Sequence, residues 1–152
     1  MNAFGGKVSV DSSLGEGTSI KITFPELPEL NQYIPLGGSV DAARKIVLID
    51  DDHSIHKYLL HRVGQENFVG FKSLSDFETA YASNSKQEFF FVDYNFWGED
   101  KKGTELILGS KLFHKENTVL LTSDFYLPEI QMFALKTGVK VLPKQLLSAC
   151  FQ

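Results

Sequence analysis

Residues 45–52 read KIVLIDDD, and this stretch decides the fold. Four consecutive apolar residues, 46–49, leave no polar face, which is typical of a strand buried on both sides of a parallel sheet. Three aspartates follow directly, where such a strand would leave the core. The stretch therefore predicts a parallel sheet covered by helices, with acidic groups at the end of its first strand.

The chain beyond this stretch alternates short apolar runs with segments of helical periodicity. In the first helical segment Ile55, Tyr58, Leu59 and Val63 recur at spacings of three and four, which places one apolar stripe against the sheet. Strands are predicted at about 46–49, 68–73, 89–92, 118–122 and 139–142, and helices at about 54–65, 76–84, 104–114, 128–137 and from 144 onward. Five such β/α units predict an α/β fold with a doubly wound parallel sheet.

The N-terminal residues have a different pattern. Residues 7–11 and 19–24 alternate apolar and polar side chains, and the glycines of 14–17 suit a turn, so a β-hairpin is predicted. Prolines and glycines then crowd residues 25–44, which indicates a linker. We therefore divide the chain into a hairpin extension at 1–24, a linker at 25–44 and a domain at 45–152.

Composition excludes several classes of function. A chain of 152 residues and 17.0 kDa has room for one ordinary domain, which excludes a long multidomain enzyme. A net charge of −4 argues against nucleic acid as a direct partner. The sequence contains neither an apolar run long enough for a membrane span nor a secretory signal, so a cytoplasmic location without direct membrane contact is expected. The lone Cys150 has no second thiol to pair with, and no chemical role is assigned to it.

Polar residues at the predicted strand ends are the candidates for chemistry, because ligands of open parallel sheets bind outside the carboxyl ends of the strands. The first strand ends in residues 50–52, all aspartate, the third in Asp93, the fourth in Thr122 and Ser123, and the fifth is followed by Lys144. Carboxylates converging on one edge repel one another unless a hard cation such as Mg²⁺ lies between them. A lysine and a hydroxyl opposite would hold an anion near that metal.

This set of residues, in this order along residues 45–152, resembles the receiver domain of response regulators in two-component signalling. The resemblance implies a flavodoxin-like sheet of order 2-1-3-4-5 and a site for Mg²⁺ or Mn²⁺. Asp50 and Asp51 match the metal-binding acidic pair and Asp93 the phosphoacceptor, which is also a metal ligand. Asn95 matches the residue whose backbone carbonyl completes the metal shell.

The same resemblance implies roles for residues around the phosphoryl group. Thr122 matches the hydroxyl that bonds a phosphoryl oxygen, and Lys144 the ammonium that pairs with another. Asn95 and Asp124 occupy the positions that modulate dephosphorylation, and because both are polar we expect a short-lived phosphoprotein. The implied reaction is transfer from phosphohistidine to Asp93, with a histidine kinase core or a histidine phosphotransfer protein as partner.

Three features depart from the family pattern. The loop at 94–103 lacks the usual Met-Pro and is about two residues longer. Val141 replaces the usual aromatic switch residue, and Gln145 stands where a proline normally follows the lysine. A hydroxyl-to-aromatic relay in the usual form is therefore not expected, and a degenerate receiver that acts as a non-phosphorylated interaction or inhibitory module stays an alternative.

The hairpin segment resembles the end of a histidine-kinase ATP-binding domain, with Gly15-Glu16-Gly17-Thr18 as its Gly-x-Gly-Thr turn. Hybrid sensor kinases end in a hairpin, a linker and a receiver, in this order. The resemblance therefore implies that the parent protein is a histidine kinase, which is a phosphotransferase, and some such kinases are anchored in a membrane. The remaining ATP-binding motifs and the phosphorylated histidine are missing, so this chain is not expected to be a kinase by itself.

A second enzyme family has a similar motif. Asp50 and Asp52 fit the Asp-x-Asp motif of haloacid-dehalogenase-like phosphatases, with Asp50 as nucleophile and Asp52 as acid/base, and Thr122 and Lys144 would fill its next motifs. That family needs further acidic ligands after the lysine, and residues 145–152 contain none. This interpretation therefore stays a remote alternative.

Overall fold

The computed structural model describes residues 7–15, 17–23, 44–81 and 88–151. The chain divides into two compact units, Met1–Leu30 and Asn31–Gln152. Most of the predicted linker at 25–44 and the last residues of the predicted second helix, 82–84, lie outside the described residues.

The first unit contains a two-stranded antiparallel hairpin. Its strands are β1, Lys7–Ser13, and β2, Gly17–Thr23. Gly15 and Gly17 have positive φ angles of 88° and 102°, which glycine adopts at little cost in a tight turn. The cross-strand pairs Val8 with Ile22 and Val10 with Ile20 gather apolar side chains on one face. The predicted hairpin is confirmed.

The second unit is an α/β fold with a five-stranded, wholly parallel sheet. Its strands are β3, Lys45–Ile49; β4, Phe68–Phe71; β5, Glu88–Asp93; β6, Thr118–Thr122; and β7, Lys140–Pro143. They lie in the order β4-β3-β5-β6-β7, and every pairing is parallel. Numbered within this unit, the order is 2-1-3-4-5, as the resemblance implied.

Helices connect consecutive strands. They are α1, His53–Val63; α2, Leu74–Ala80; α3, Gly103–Gly109; and α4, Pro128–Thr137, with short 3₁₀ helices at Gln65–Asn67 and Lys144–Phe151. Helix α2 begins earlier than predicted, because Ser73 accepts a hydrogen bond from the Asp76 N–H and caps it. Helix α4 begins with Pro128 and is capped after Thr137 by Gly138, whose φ is 71°. Among the helices of the described residues, none is long and apolar enough to cross a membrane.

The C-terminal segment forms a 3₁₀ helix where an α-helix was predicted. Leu147 and Cys150 are both buried and are three residues apart. Phe151 is buried as well, so the segment packs one apolar side against the core.

Side chains of both sheet faces are buried, which explains the unbroken apolar runs. Alternate residues of β3 point to opposite sides: Ile46 and Leu48 belong to a core cluster with Leu147 and Phe151, and Val47 and Ile49 to a second one. The second cluster also contains residues of α2, α3 and α4, namely Leu74, Phe77, Leu106, Ile107, Ile130 and Phe133. Burial on both faces leaves the carboxyl edge of the sheet as the place where polar side chains converge.

Candidate functional site

An acidic cluster lies at the carboxyl edge of the sheet. Strands β3 and β5 are neighbours with Ile49 opposite Val92, so Asp50 and Asp93 emerge side by side. Together with Asp51 they present carboxylate oxygens that all lie within 4.8 Å of one another. Asp50 and Asp93 are buried and Asp51 is exposed. The cluster is therefore open to solvent on the side of Asp51.

Lys144 joins the two buried carboxylates. Its Nζ lies 3.0 Å from Asp50 Oδ2 and 3.0 Å from Asp93 Oδ2, and it donates a hydrogen bond to Asp50 Oδ1 at 3.1 Å. The lysine follows directly on β7, and its long side chain reaches the cluster from there. One ammonium thus faces three carboxylates, so a net negative charge is concentrated at this edge.

Burial and mutual repulsion perturb the ionisation of these groups. Burial, reinforced by the charge of Asp50, raises the pKa of Asp93 to about 7 despite the opposing effect of Lys144. Burial also raises the pKa of Asp50. Burial alone would lower the pKa of the Lys144 ammonium, but Asp93 and Asp50 outweigh it, so that pKa is raised. The cluster would hold its charge more easily with a bound cation.

Thr122 and Asp124 lie on the neighbouring strand end. Thr122 ends β6 and is buried, and its Oγ1 accepts a hydrogen bond from the Asp124 N–H at 2.9 Å. This bond fixes the start of the loop after β6. Ser123, between them, is exposed.

The loop after Asp93 folds over the cluster. The Trp97 N–H donates to Asp51 Oδ2 at 2.8 Å, although the Trp97 side chain itself is 94% exposed. The Asn95 side chain donates to Asp124 Oδ2 at 2.9 Å and accepts from Lys102 Nζ at 2.8 Å. This loop therefore connects the strand ends of β3, β5 and β6.

The base of the loop is closed at Gly103. Its N–H donates to the Tyr94 carbonyl at 3.0 Å. A Cβ placed on Gly103 would lie 1.8 Å from the carbonyl oxygen of Asp93, so only glycine allows this approach. The first residue of α3 is thereby held against the end of β5.

Asp52 has a different role from its two neighbours. Its Oδ1 accepts hydrogen bonds from the Ser54 N–H at 2.8 Å and from the Ser54 hydroxyl at 2.6 Å, and so caps α1. The hydrogen bond from the Ser54 hydroxyl lowers the pKa of Asp52. Its carboxylate is thus engaged in starting a helix.

His56 is a residue of this site that sequence reasoning missed. The ring is buried, and its Nε2 lies 2.6 Å from the backbone oxygen of Asp50. A Cβ on Gly70 would lie 2.4 Å from His56 Nδ1, so the glycine of β4 makes room for the ring. One signal was present, since His56 is three residues before Leu59 and seven before Val63 and therefore shares their inward face.

Comparison with known proteins finds similarity among solved structures only. No family model and no curated protein matches the sequence. The response regulator StyR matches with a TM-score of 0.50 and 22% identity over 69% of this chain, and a response regulator from Colwellia psychrerythraea with a TM-score of 0.43 and 21% identity over 66%. The matched region covers 56% of the StyR chain and 82% of the other. The match with StyR shows that the α/β fold is like that of response-regulator receiver domains.

Proposed function

We propose that residues 45–152 form a phosphorelay receiver domain that accepts a phosphoryl group on Asp93. One observation carries the proposal: Asp93 lies at the sheet edge in one cluster with Asp50 and Asp51, and Lys144 Nζ is 3.0 Å from Asp93 Oδ2. A carboxylate nucleophile, a place for a divalent cation and a fixed ammonium are the groups that phosphoryl transfer requires.

In the proposed reaction, a carboxylate oxygen of Asp93 attacks the phosphorus of a phosphohistidine in line with the P–N bond. The P–O bond forms as the P–N bond breaks, and the imidazole leaves with the electron pair. Deprotonated Asp93 is the nucleophile, and its pKa of about 7 leaves a large fraction ionised at neutral pH even without a metal.

The acidic cluster fits a hard divalent cation. Asp50, Asp51 and Asp93 offer oxygens within 4.8 Å of one another, and a single ammonium does not neutralise them. We expect these three residues and the backbone carbonyl of Asn95 to hold Mg²⁺ or Mn²⁺. A cation bound there would supply positive charge for the phosphoryl oxygens.

Lys144 and Thr122 complete the proposed anion site. Lys144 would exchange its contact with Asp93 for a phosphoryl oxygen once that carboxylate is esterified. The Thr122 hydroxyl, held by its bond with the Asp124 N–H, retains a hydrogen to donate to another phosphoryl oxygen. Both groups would act by positioning and by stabilising charge.

Two alternatives make different predictions. A degenerate receiver, suggested by the long loop and by Val141, would bind partners without being phosphorylated. A haloacid-dehalogenase-like phosphatase would use Asp50 as nucleophile with Asp52 as acid/base. The capping bonds from Ser54 to Asp52 argue against the second, because a capping carboxylate is not free to transfer protons.

The wider assignment is also a proposal. The expected phosphoryl donor is a phosphohistidine on a histidine kinase core or on a histidine phosphotransfer protein, and the expected recipient is a histidine of such a protein. We expect the domain to act in the cytoplasm. We interpret the hairpin of β1 and β2 as the end of a kinase ATP-binding domain in a hybrid kinase, and the sequence Gly15-Glu16-Gly17-Thr18 between its strands supports this interpretation.

Intact-mass spectrometry tests the proposal. The full chain is incubated with Mg²⁺ and a small-molecule phosphodonor, and one added phosphoryl group is expected in the wild type and in Asp100→Asn, an exposed control of the same loop. Asp93→Asn and removal of Mg²⁺ should abolish it. An adduct that persists in Asp93→Asn but is lost in Asp50→Asn would favour the phosphatase, and no wild-type adduct would favour the degenerate receiver.

A further inference from the structure

A continuous chain of polar contacts crosses the mouth of the site. Lys102 Nζ donates to Asn95 Oδ1 at 2.8 Å, Asn95 Nδ2 donates to Asp124 Oδ2 at 2.9 Å, and the Asp124 N–H donates to Thr122 Oγ1 at 2.9 Å. We call the part formed by Lys102, Asn95 and Asp124 the amide bridge. It links the loop after β5 to the loop after β6.

The backbone on both sides of Lys102 is fixed. Its own N–H donates to Glu105 Oε1 at 3.1 Å, and the next residue, Gly103, is bonded to the Tyr94 carbonyl. The Lys102 ammonium also lies 5.7 Å from the centre of the Tyr94 ring, a favourable cation–π distance. These contacts direct the lysine side chain toward Asn95.

The bridge engages polar groups that flank the proposed phosphoacceptor. The Asn95 side chain offers one acceptor oxygen and one NH₂ group, and both are bonded within the bridge. Asp124 uses one carboxylate oxygen in the same way. Asn95 is two residues beyond Asp93 on the loop after β5, and Asp124 bonds Thr122 at the end of β6, the strand that pairs with β5. The bridge therefore joins the loops that leave the two neighbouring strand ends at the proposed phosphoacceptor.

We propose that Lys102 is a positioning residue that prolongs the life of the aspartyl phosphate by holding the Asn95 amide against Asp124. The inference rests on the proposed function, because it needs a phosphoryl group on Asp93. It reverses the expectation of a short-lived phosphoprotein, which considered only that Asn95 and Asp124 are polar.

The chemistry explains the direction of the effect. In hydrolysis a water oxygen attacks phosphorus, the bond between phosphorus and the Asp93 oxygen breaks, and the electron pair returns to the carboxylate. The water gives up a proton to solvent or to a nearby acceptor, and the products are inorganic phosphate and free Asp93. Asn95 Oδ1 and the Asp124 carboxylate are acceptors on the two loops that follow β5 and β6. Lys102 takes one of the two lone pairs of Asn95 Oδ1 and fixes the orientation of the amide, so the amide cannot turn to orient an attacking water.

Measuring the decay of the phosphorylated full chain after removal of the donor tests this role. In Lys102→Met the half-life should shorten about fivefold, the factor that one ordinary hydrogen bond is worth. Lys102→Arg keeps a cationic donor and should restore a half-life close to that of the wild type. Lys101→Met is the matched control, because it removes the neighbouring lysine, which pairs with Glu78 outside the bridge.

A double variant separates positioning from a direct effect of charge. In an Asn95→Ala background, which lacks the amide, Lys102→Met should leave the half-life unchanged. The same fivefold loss in that background would show that the lysine acts on the phosphoryl group through its charge, and would overturn the proposal. An unchanged or longer half-life in Lys102→Met alone would overturn it as well.

The proposed function and this inference fail in different ways. If the wild type acquires no phosphoryl group on Asp93, both are wrong. If the wild type is phosphorylated and the half-lives of wild type and Lys102→Met agree, only the role of Lys102 is wrong.

Discussion

Replacing Asp93 by asparagine should change how the stability of the protein depends on pH. Asparagine has nearly the same shape as aspartate but does not titrate. In the wild type without metal, burial and the charge of Asp50 raise the pKa of Asp93 to about 7 from its ordinary value of 3.8. Because the folded state binds this proton more tightly than the unfolded state, ionisation of Asp93 destabilises the fold.

The sign and magnitude follow from linkage. For a carboxyl group whose pKa is raised in the folded state, the stabilisation that its proton provides is complete below the unfolded pKa. This stabilisation falls as pH rises from the unfolded pKa to the folded pKa, and above the folded pKa it is lost. The loss is about 1.4 kcal/mol for each pH unit between the two values. From pH 5 to pH 8 the wild type should therefore lose about 3 kcal/mol that Asp93→Asn does not lose.

Urea denaturation in EDTA at pH 5 and pH 8 measures this difference. The free energy of unfolding of Asp93→Asn should rise relative to the wild type by about 2–3 kcal/mol between the two pH values. Asp100→Asn, at an exposed position of the same loop, should follow the wild type. Equal pH dependence of Asp93→Asn and wild type, within about 0.5 kcal/mol, would refute the argument that Asp93 is buried beside a second carboxylate.

Three further predictions concern glycines and metal. Gly103→Ala should lower the free energy of unfolding by about 3 kcal/mol or more, because its Cβ would lie 1.8 Å from the Asp93 carbonyl oxygen. Gly109→Ala is the control, since a Cβ there meets nothing within 4 Å, and urea denaturation that ranks the two alike would contradict the packing argument. Gly70→Ala should displace the His56 ring, because His56 Nδ1 lies 2.4 Å from the position of the added Cβ. We expect Mg²⁺ binding to weaken several-fold, as measured by titration of the fluorescence of the single tryptophan. Unchanged affinity would show that the ring does not support the metal site. Mg²⁺ should raise the melting temperature more at pH 8 than at pH 5, because protons compete for the carboxylates, and the opposite order would contradict the raised pKa values.

Much of the fold could be predicted because a local run of apolar residues indicates each strand. The run at 46–49 and the run at 89–92 have no polar face, so they had to be central strands. Since neighbouring parallel strands end at the same edge, placing Asp50 and Asp93 at two strand ends also places them near each other. Lys144 follows another strand of the same sheet, and this position likewise places it near both carboxylates, which it contacts.

Other features depend on contacts that periodicity does not encode. The contact of Lys102 with Asn95 depends on how the start of α3 lies against the end of β5, where Gly103 permits a close backbone approach. The Trp97 amide reaches Asp51 through the shape of an irregular loop.

The central claim is that Asp93 carries a phosphoryl group, and locating the modified residue tests it most directly. After phosphorylation with Mg²⁺ and a small-molecule donor, borohydride reduces an acyl phosphate to the alcohol, which leaves a stable mass change that peptide mass spectrometry can locate. We expect this change at Asp93 alone. Reduction at Asp50, or no reduced residue in a protein shown to be folded and to bind Mg²⁺, would contradict it.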